Sequence, residues 1–228
     1  MKSAIEIVGS DAFTNYTSAP LDELAAACAN RYVGNPSQEA IYEITVNGPK
    51  LRFNQSCTIA ICGADLSPAL NQVAIQNNHP YEVDANSVLE FGNCISGLRA
   101  YLACGSKSVV SSPYKLQLNS TLHCTPAPEF EYLPAGLAAA LFSYKFTISK
   151  RANRMGVQLE QRLPNQLNEI ITSPVLPGTV QLTPDGQLII LLADCQNTGG
   201  YPRLLQLDKA GLQQMAQLGP GATLQFSR

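Results

Sequence analysis

The 228-residue chain has no tryptophan, three methionines, two histidines and only 14% charged residues. With only His79 and His123, a histidine-dependent nucleophilic triad is excluded in practice, and no Gly-x-Ser-x-Gly elbow is present. Seven cysteines (28, 57, 62, 94, 104, 124 and 195) are an odd number, with no Cys-x-x-Cys pair. That pattern is neither a zinc framework nor a secreted disulfide scaffold, and it suits small buried hydrophobes. No metal site is expected. The net charge is −2 and no basic block occurs, so nucleic acid is not expected as a partner. The longest apolar runs, residues 137–142 and 188–193, fall far short of the ~20 residues of a membrane-spanning helix. Glu6 stands where a signal peptide would need its apolar core. These absences lead to the expectation of a cytoplasmic protein with no membrane partner. Gly105-Ser106-Lys107-Ser108 lacks the spacing of a phosphate-binding loop and reads as a surface turn.

What is present is a globular profile, 45% hydrophobic, long enough for a substantial core. Residues 4–8 suggest a strand. Ser18, Pro20, Asp22 and Glu23 suggest a helix start, followed by Leu21, Leu24, Ala25, Cys28, Ala29 and Tyr32 at the helical period until Gly34-Asn35-Pro36. Then come short strands between turns: 41–46 and 50–53 around Asn47-Gly48-Pro49, a hairpin signal, then 57–62, 73–75, 88–91 and 98–104. Strands this short and frequent favour β-barrels over a doubly wound sheet. Prolines and the acidic-aromatic Glu129-Phe130-Glu131-Tyr132 interrupt the rhythm, which places a junction at residues 113–139 between halves 1–112 and 140–228. The second half suggests strands at 143–149, 157–160, 180–182, 187–193, 203–207 and 222–226. It also suggests a short helix capped by Asp208 and stopped at Gly219-Pro220-Gly221.

The stretch most suggestive of chemistry runs from Leu192 to Pro202. The apolar run before it has the length of a strand buried on both faces, and Pro184-Asp185-Gly186 ahead of it is turn chemistry. Then Asp194, Gln196, Asn197 and Thr198 crowd together before Gly199-Gly200, whose backbone a ligand can approach closely, and the amphipathic Tyr201. Cys195 lies inside this loop, and a nucleophilic thiolate there would need a nearby cation or helix terminus. A second cluster, Asn153-Arg154-Met155-Gly156, offers a guanidinium fork suited to a carboxylate or phosphate. By itself it would read as a solvated turn.

Taken with Glu169-Ile170-Ile171, Pro177-Gly178-Thr179-Val180-Gln181, Pro184-Asp185-Gly186-Gln187 and the polar loop, that cluster forms an ordered pattern. It resembles the biotin-dependent carboxyltransferase-like family that includes the C subunit of bacterial ATP-dependent 5-oxoprolinase, KipA and allophanate hydrolase subunit 2. In the first half, Ala29-Asn30-Arg31-Tyr32-Val33-Gly34-Asn35-Pro36, Glu43-Ile44-Thr45, Gly63-Ala64-Asp65 and Arg99-Ala100-Tyr101-Leu102 also match. The chain departs from the family pattern in three places. Residues 9–17 are too short for a D-x-G-R-x-G loop, and residues 109–134 replace a Gly-rich segment. In the polar loop, Cys195 stands where Arg is common and Asn197 where Thr is. A charge-assisted hydrogen bond of the kind such an Arg makes contributes about 1.5–3 kcal/mol.

The resemblance implies a mainly β fold of two cyclophilin-like β-barrel halves with a few short helices. It implies one component of an ATP-dependent 5-oxoprolinase, which opens the lactam of 5-oxo-L-proline to give glutamate, acting with a KipI-like B subunit and with the A subunit. A small amide or lactam substrate, and ATP with Mg2+ in the assembled complex, follow from it; no covalently bound cofactor does. Arg154, Asp194 and Gln196 become candidate catalytic residues. Asn153, Met155, Gln181, Asp185, Thr198, Gly199, Gly200 and Tyr201 become candidate substrate-binding residues, with Arg154 expected to face the Gly199–Gly200 backbone. Other readings stand beside this one: a KipA-like regulator that antagonises a kinase inhibitor, a non-catalytic scaffold, or a carboxyltransferase-like component working on urea or a related amide.

Overall fold

The computed structural model describes residues 5–8 and 14–228. The strand expectation at residue 4 and most of the shortened 9–17 loop therefore lie outside the described residues. The chain divides into two compact units between Gln117 and Leu118.

The first unit contains β1 (Ile5–Val8), β2 (Thr14–Thr17), α1 (Glu23–Tyr32), β3 (Ile41–Thr45), β4 (Lys50–Phe53) and β5 (Cys57–Asp65). It continues with β6 (Ala69–Leu70), β7 (Val73–Ala74), β8 (Pro80–Val83), β9 (Val88–Glu90) and β10 (Ser96–Gly105). These strands make two five-stranded sheets, ordered β1-β4-β9-β6-β7 and β2-β3-β10-β5-β8. Leu51, Phe53 and Leu89 from the first sheet share one core with Ile44, Ile59, Ile61 and Leu102 from the second. Strand side chains alternate between faces, so Ala60 and Cys62 point the other way and pack under α1 against Ala25, Cys28, Ala29 and Tyr32. Coverage on both faces explains why 57–62 is apolar at every position but Thr58, itself buried. Helix α1 starts four residues later than Ser18: Asp22 is its cap, accepting the Ala25 N–H at 3.0 Å.

The expected 41–53 hairpin does not form. β3 pairs with β2 and β10, whereas β4 pairs with β1 and β9, in the other sheet. Val46 takes a positive φ of 58° and donates its N–H to Leu98 O. Its conformation turns the chain from one sheet into the other, so a Gly-Pro turn here serves a crossover.

A closed polar network also sits in this unit. Glu43 is fully buried, and its Oε2 accepts from the Leu21 N–H at 2.9 Å and the Tyr101 hydroxyl at 3.0 Å. Arg99 Nε lies 3.7 Å from its other oxygen. Tyr101 Oη accepts the Asp22 N–H at 2.8 Å, and the Tyr114 hydroxyl donates to Asp22 Oδ2 at 2.6 Å. Burial, then the Glu43 and Asp22 charges, push the Tyr101 phenol well above its ordinary range and keep it a neutral donor.

The second unit contains β11 (Thr121–Pro126), a 3-10 turn (Phe130–Tyr132), α2 (Ala135–Ser143), β12 (Phe146–Ala152), β13 (Gly156–Arg162) and β14 (Ser173–Pro174). Beyond these lie β15 (Thr179–Leu182), β16 (Gln187–Leu191), β17 (Thr198–Gly199), β18 (Arg203–Leu207), α3 (Lys209–Gln217) and β19 (Thr223–Ser227). Most of the stretch expected as a junction, 113–139, is thus ordered structure of this unit. Seven strands close a barrel in the order β11-β18-β15-β16-β13-β12-β19. An odd ring cannot alternate direction throughout, and the one parallel pair, β11 with β19, closes it. Val157, Leu159, Val180, Leu182, Leu188 and Ile190 are all buried, with Phe146 and Phe226 rings 5.6 Å apart. Asp208 caps α3 as expected, accepting the Gly211 N–H at 2.7 Å. The expectation that 187–192 is buried on both faces is corrected: Leu188 and Ile190 are buried, but Gln187 and Ile189 are only half-buried. In a barrel wall one face fills the interior and the other looks out.

Candidate functional site

That outward face is where the polar residues gather. Gln158 and Gln181 each sit opposite Ile189 in register, and Gly156 sits opposite Leu191. Their sequence neighbours Val157, Val180 and Ile190 are buried in the barrel, so these side chains project from its outer wall. The β12–β13 turn rises beside them. Asn153 Oδ1 accepts the N–H groups of Met155 at 2.8 Å and Gly156 at 3.2 Å, an Asx turn that shapes this corner.

The polar loop after β16 is fastened to that turn. Leu192 N–H donates to Met155 O and Asp194 N–H to Arg154 O, both at 3.0 Å. Above these main-chain bonds the Arg154 guanidinium grips the Asp194 carboxylate in a fork, Nε to Oδ2 at 2.7 Å and Nη2 to Oδ1 at 3.0 Å. The Arg154 side chain is 14% exposed and that of Asp194 48%.

Between these walls lies a cavity of about 520 Å³. Gly156, Gln158, Gln181, Ile189 and Leu191 line it from the strands, and Asn153, Met155, Gln196 and Tyr201 from the turn and loops. Lys150 and Arg151, both exposed, stand at one side. No carboxylate is among its lining residues, of those the structure describes. A second cavity of about 680 Å³, beside α2, is lined mainly by alanines, Phe142, Phe226 and Arg228. Thr121, Gln225 and Ser227 complete its lining.

Of the residues singled out from the sequence, Asn153, Met155, Gln181, Gln196 and Tyr201 meet in the one cavity, with the Arg154–Asp194 pair bracing its loop. The arrangement of the glycines differs from expectation. Arg154 spends its fork on Asp194, and the Gly-Gly backbone packs elsewhere: Gly199 pairs with Ser173 across β14–β17, and Gly200 O accepts the Ile170 N–H at 2.9 Å. Gly199 is needed for close approach, since a Cβ there would lie 2.6 Å from Gln181 Nε2, the same nitrogen that donates to Tyr201 O at 3.2 Å. Thr198 is exposed, opposite Pro174. Asp185 sits in the β15–β16 turn, held by Thr183 and Arg162. Those two partners, Thr183 foremost, hold its carboxyl below the usual range. Asp185 does not line the cavity.

Burial pushes the Cys195 thiol up, and the Asp194 charge adds to that. The neighbourhood thus disfavours the thiolate that a nucleophile needs. Among the described residues no group of three His, Cys, Asp or Glu side chains is placed to hold a metal ion. With no carboxylate lining it, the cavity does not fit Mg2+, which seeks hard oxygen ligands. Lys150, Arg151 and Gln158 were not singled out from the sequence. Only the alternation of Val157-Gln158-Leu159 marks Gln158 as outward, and that pattern fits any barrel wall.

The fold is a two-unit, mainly β one with a polar-lined cavity on the wall of its barrel. The model for the carboxyltransferase domain, subdomain A and B, matches residues 16–113 and 106–228, and the chain belongs to that family. It is 23% identical over 248 residues to the C subunit of 5-oxoprolinase from Haemophilus influenzae, covering 90% of this chain and 80% of that one. The Escherichia coli protein of the same name is 24% identical over 249 residues, with the same coverage. The urea amidolyase of Saccharomyces cerevisiae is 31% identical over 150 residues, 66% of this chain but 8% of that protein. Among solved structures, K. lactis urea amidolyase superposes with a TM-score of 0.86 at 24% identity, over 98% of this chain and 18% of that one. That likeness shows the fold. No helix among the described residues is long and apolar enough to cross a membrane.

Proposed function

We propose that this chain is the substrate-binding component of an ATP-dependent 5-oxoprolinase, working with a KipI-like B subunit and an A subunit. The observation that carries the reading is the composition of the cavity: neutral amide side chains from Asn153, Gln158, Gln181 and Gln196, with the cations Lys150 and Arg151 beside them. 5-Oxo-L-proline combines one lactam N–H, one lactam carbonyl and one carboxylate. Carboxamides both donate and accept, and so complement a lactam. Lysine and arginine complement the carboxylate. Urea has no carboxylate for the cations to meet, so the lactam acid is preferred over it.

In this reading Arg154 and Asp194 are positioning residues. Their fork holds the loop that presents Gln196. The Mg2+ that accompanies the nucleotide is placed on the partner proteins, because this cavity offers it no carboxylate. The relatives named as the C subunit of 5-oxoprolinase, at 80% coverage of their own length, support a role within a multi-protein enzyme.

The test is co-expression with the B-like and A-like partners, followed by an assay of 5-oxoproline-dependent ATP hydrolysis. Turnover that requires all three chains, and that falls at least tenfold when Lys150 and Arg151 are both replaced by alanine, is the expected result. A complex that assembles with no lactam-dependent hydrolysis would favour the KipA-like regulatory or scaffold reading instead.

A further inference from the structure

Gln158 is the group in the cavity that neither the barrel nor the family pattern accounts for. It lies on β13 between Val157 and Leu159, both buried in the barrel, and its side chain lines the cavity on the outer wall. Its Oε1 is buried and accepts no hydrogen bond from the described residues. Buried carbonyl oxygens are almost always satisfied, and one that is not destabilises the protein. Methionine would fill the same space with no polar atom to satisfy. The neighbouring Gln181, by contrast, has its Nε2 tied to Tyr201 O. The carboxamide thus has an unused acceptor turned away from solvent, and a half-turn of its terminal torsion offers that oxygen to the cavity that the residue lines.

We propose that Gln158 is the specificity-determining residue of the cavity, pairing its carboxamide with the amide of the ligand and accepting the ligand N–H. The terminal torsion of glutamine is soft and nearly two-fold, so a half-turn brings either amide atom to the ligand. This inference rests on the reading of the cavity as a site for a carboxylate-bearing lactam. A site built around a hydrogen bond rejects analogues that lack it, because the protein group is then left unpaired.

The experiment uses two probes of nearly equal shape, 5-oxo-L-proline and the corresponding lactone acid, in which a ring oxygen replaces the N–H. Binding of each to the intact chain is measured by calorimetric titration for the wild-type protein and Q158M, with thermal melting of both unliganded proteins. The wild type is expected to bind the lactone at least tenfold more weakly than the lactam. Q158M should reduce that preference to twofold or less. It should also melt a few degrees higher, because its unsatisfied acceptor is gone. A wild type that binds both probes equally, or a preference that survives in Q158M, overturns the role of Gln158 and leaves the cavity assignment standing. A wild type that binds neither probe overturns the cavity assignment itself. A Q158M protein that unfolds shows that the barrel wall needs the carboxamide, and it too overturns the proposal.

Discussion

In the first unit Glu43, Tyr101 and Asp22 use their polar atoms on one another and on the N–H groups of the chain entering α1. In the second unit Gln158, Gln181 and Gln196 lie along a cavity instead, and the Arg154–Asp194 ion pair braces the loop above it. Glu43, Tyr101, Gln158 and Gln181 sit on strands, whereas Asp22 caps α1 and Gln196 lies in the loop after β16. The difference lies in where the strand face points. Glu43 and Tyr101 are fully buried and must be satisfied internally. The outer face of the barrel has room for a ligand to do the satisfying. In the proposed reading, polar side chains stabilise the first unit and recognise a ligand in the second.

The largest effect that would sharpen this contrast is Glu43→Ala. It strands the charge of Arg99 in a buried setting, a loss of about 3–5 kcal/mol when one partner of a buried pair is removed. Urea unfolding should show that loss, with ligand affinity per folded molecule unchanged. A variant as stable as the wild type would break the contrast from the first side.

Next in size is Arg154→Met. The pair is partly solvent-exposed, so its contribution to stability is small, about 0–1 kcal/mol. Loss of the brace is expected to weaken lactam binding by roughly tenfold, about 1.4 kcal/mol, as Asp194→Asn should also do. Lost stability with unchanged binding per folded molecule would make the pair structural and break the contrast from the second side.

A smaller effect concerns pH. Two-pronged bonds from Arg203, at 2.9 and 2.8 Å, hold the Glu129 carboxyl below its ordinary value. A depressed folded-state pKa adds stability above the unfolded value, and that stability is lost as pH falls from there through the folded one. Thermal midpoints should therefore fall on acidification below about pH 4.3, the unperturbed glutamate value. Glu129→Gln should flatten this dependence. An unchanged slope in that variant would show that other carboxylates carry it. The smallest effect expected is that of Cys195→Ser: binding and turnover within about twofold of wild type, in line with substitutions away from critical features. A loss of a hundredfold would restore Cys195 as a nucleophile.

How much of this was legible beforehand depended on the range of the interaction. The Asp208 cap, the apolar stripe of α1 and the Thr183–Gly186 turn depend on neighbours a few residues away, and their residues announce them. The 41–53 stretch carries the local marks of a hairpin, yet β3 and β4 join different sheets, because long-range pairing decides which strand each one meets. α2 was missed because Ala135–Ser143 is apolar nearly throughout and shows no amphipathic period between its flanking turns. The polar loop and the Asn153–Gly156 turn were legible as neighbouring candidates through their density of turn and polar residues. Gln158 was not: one glutamine in a strand looks like any outward residue until the barrel closes and leaves its oxygen without a partner.

The most direct test of the contrast between the units is a titration of the isotopically labelled chain with 5-oxo-L-proline, followed by amide chemical shifts. Perturbations should concentrate at Gly156 and Ile189 and at the side-chain amides of Gln158, Gln181 and Gln196, while resonances around Glu43 and Tyr101 stay fixed. Urea at equal concentration should move the same signals far less. Shifts centred on the first unit, with the barrel wall silent, would contradict the assignment.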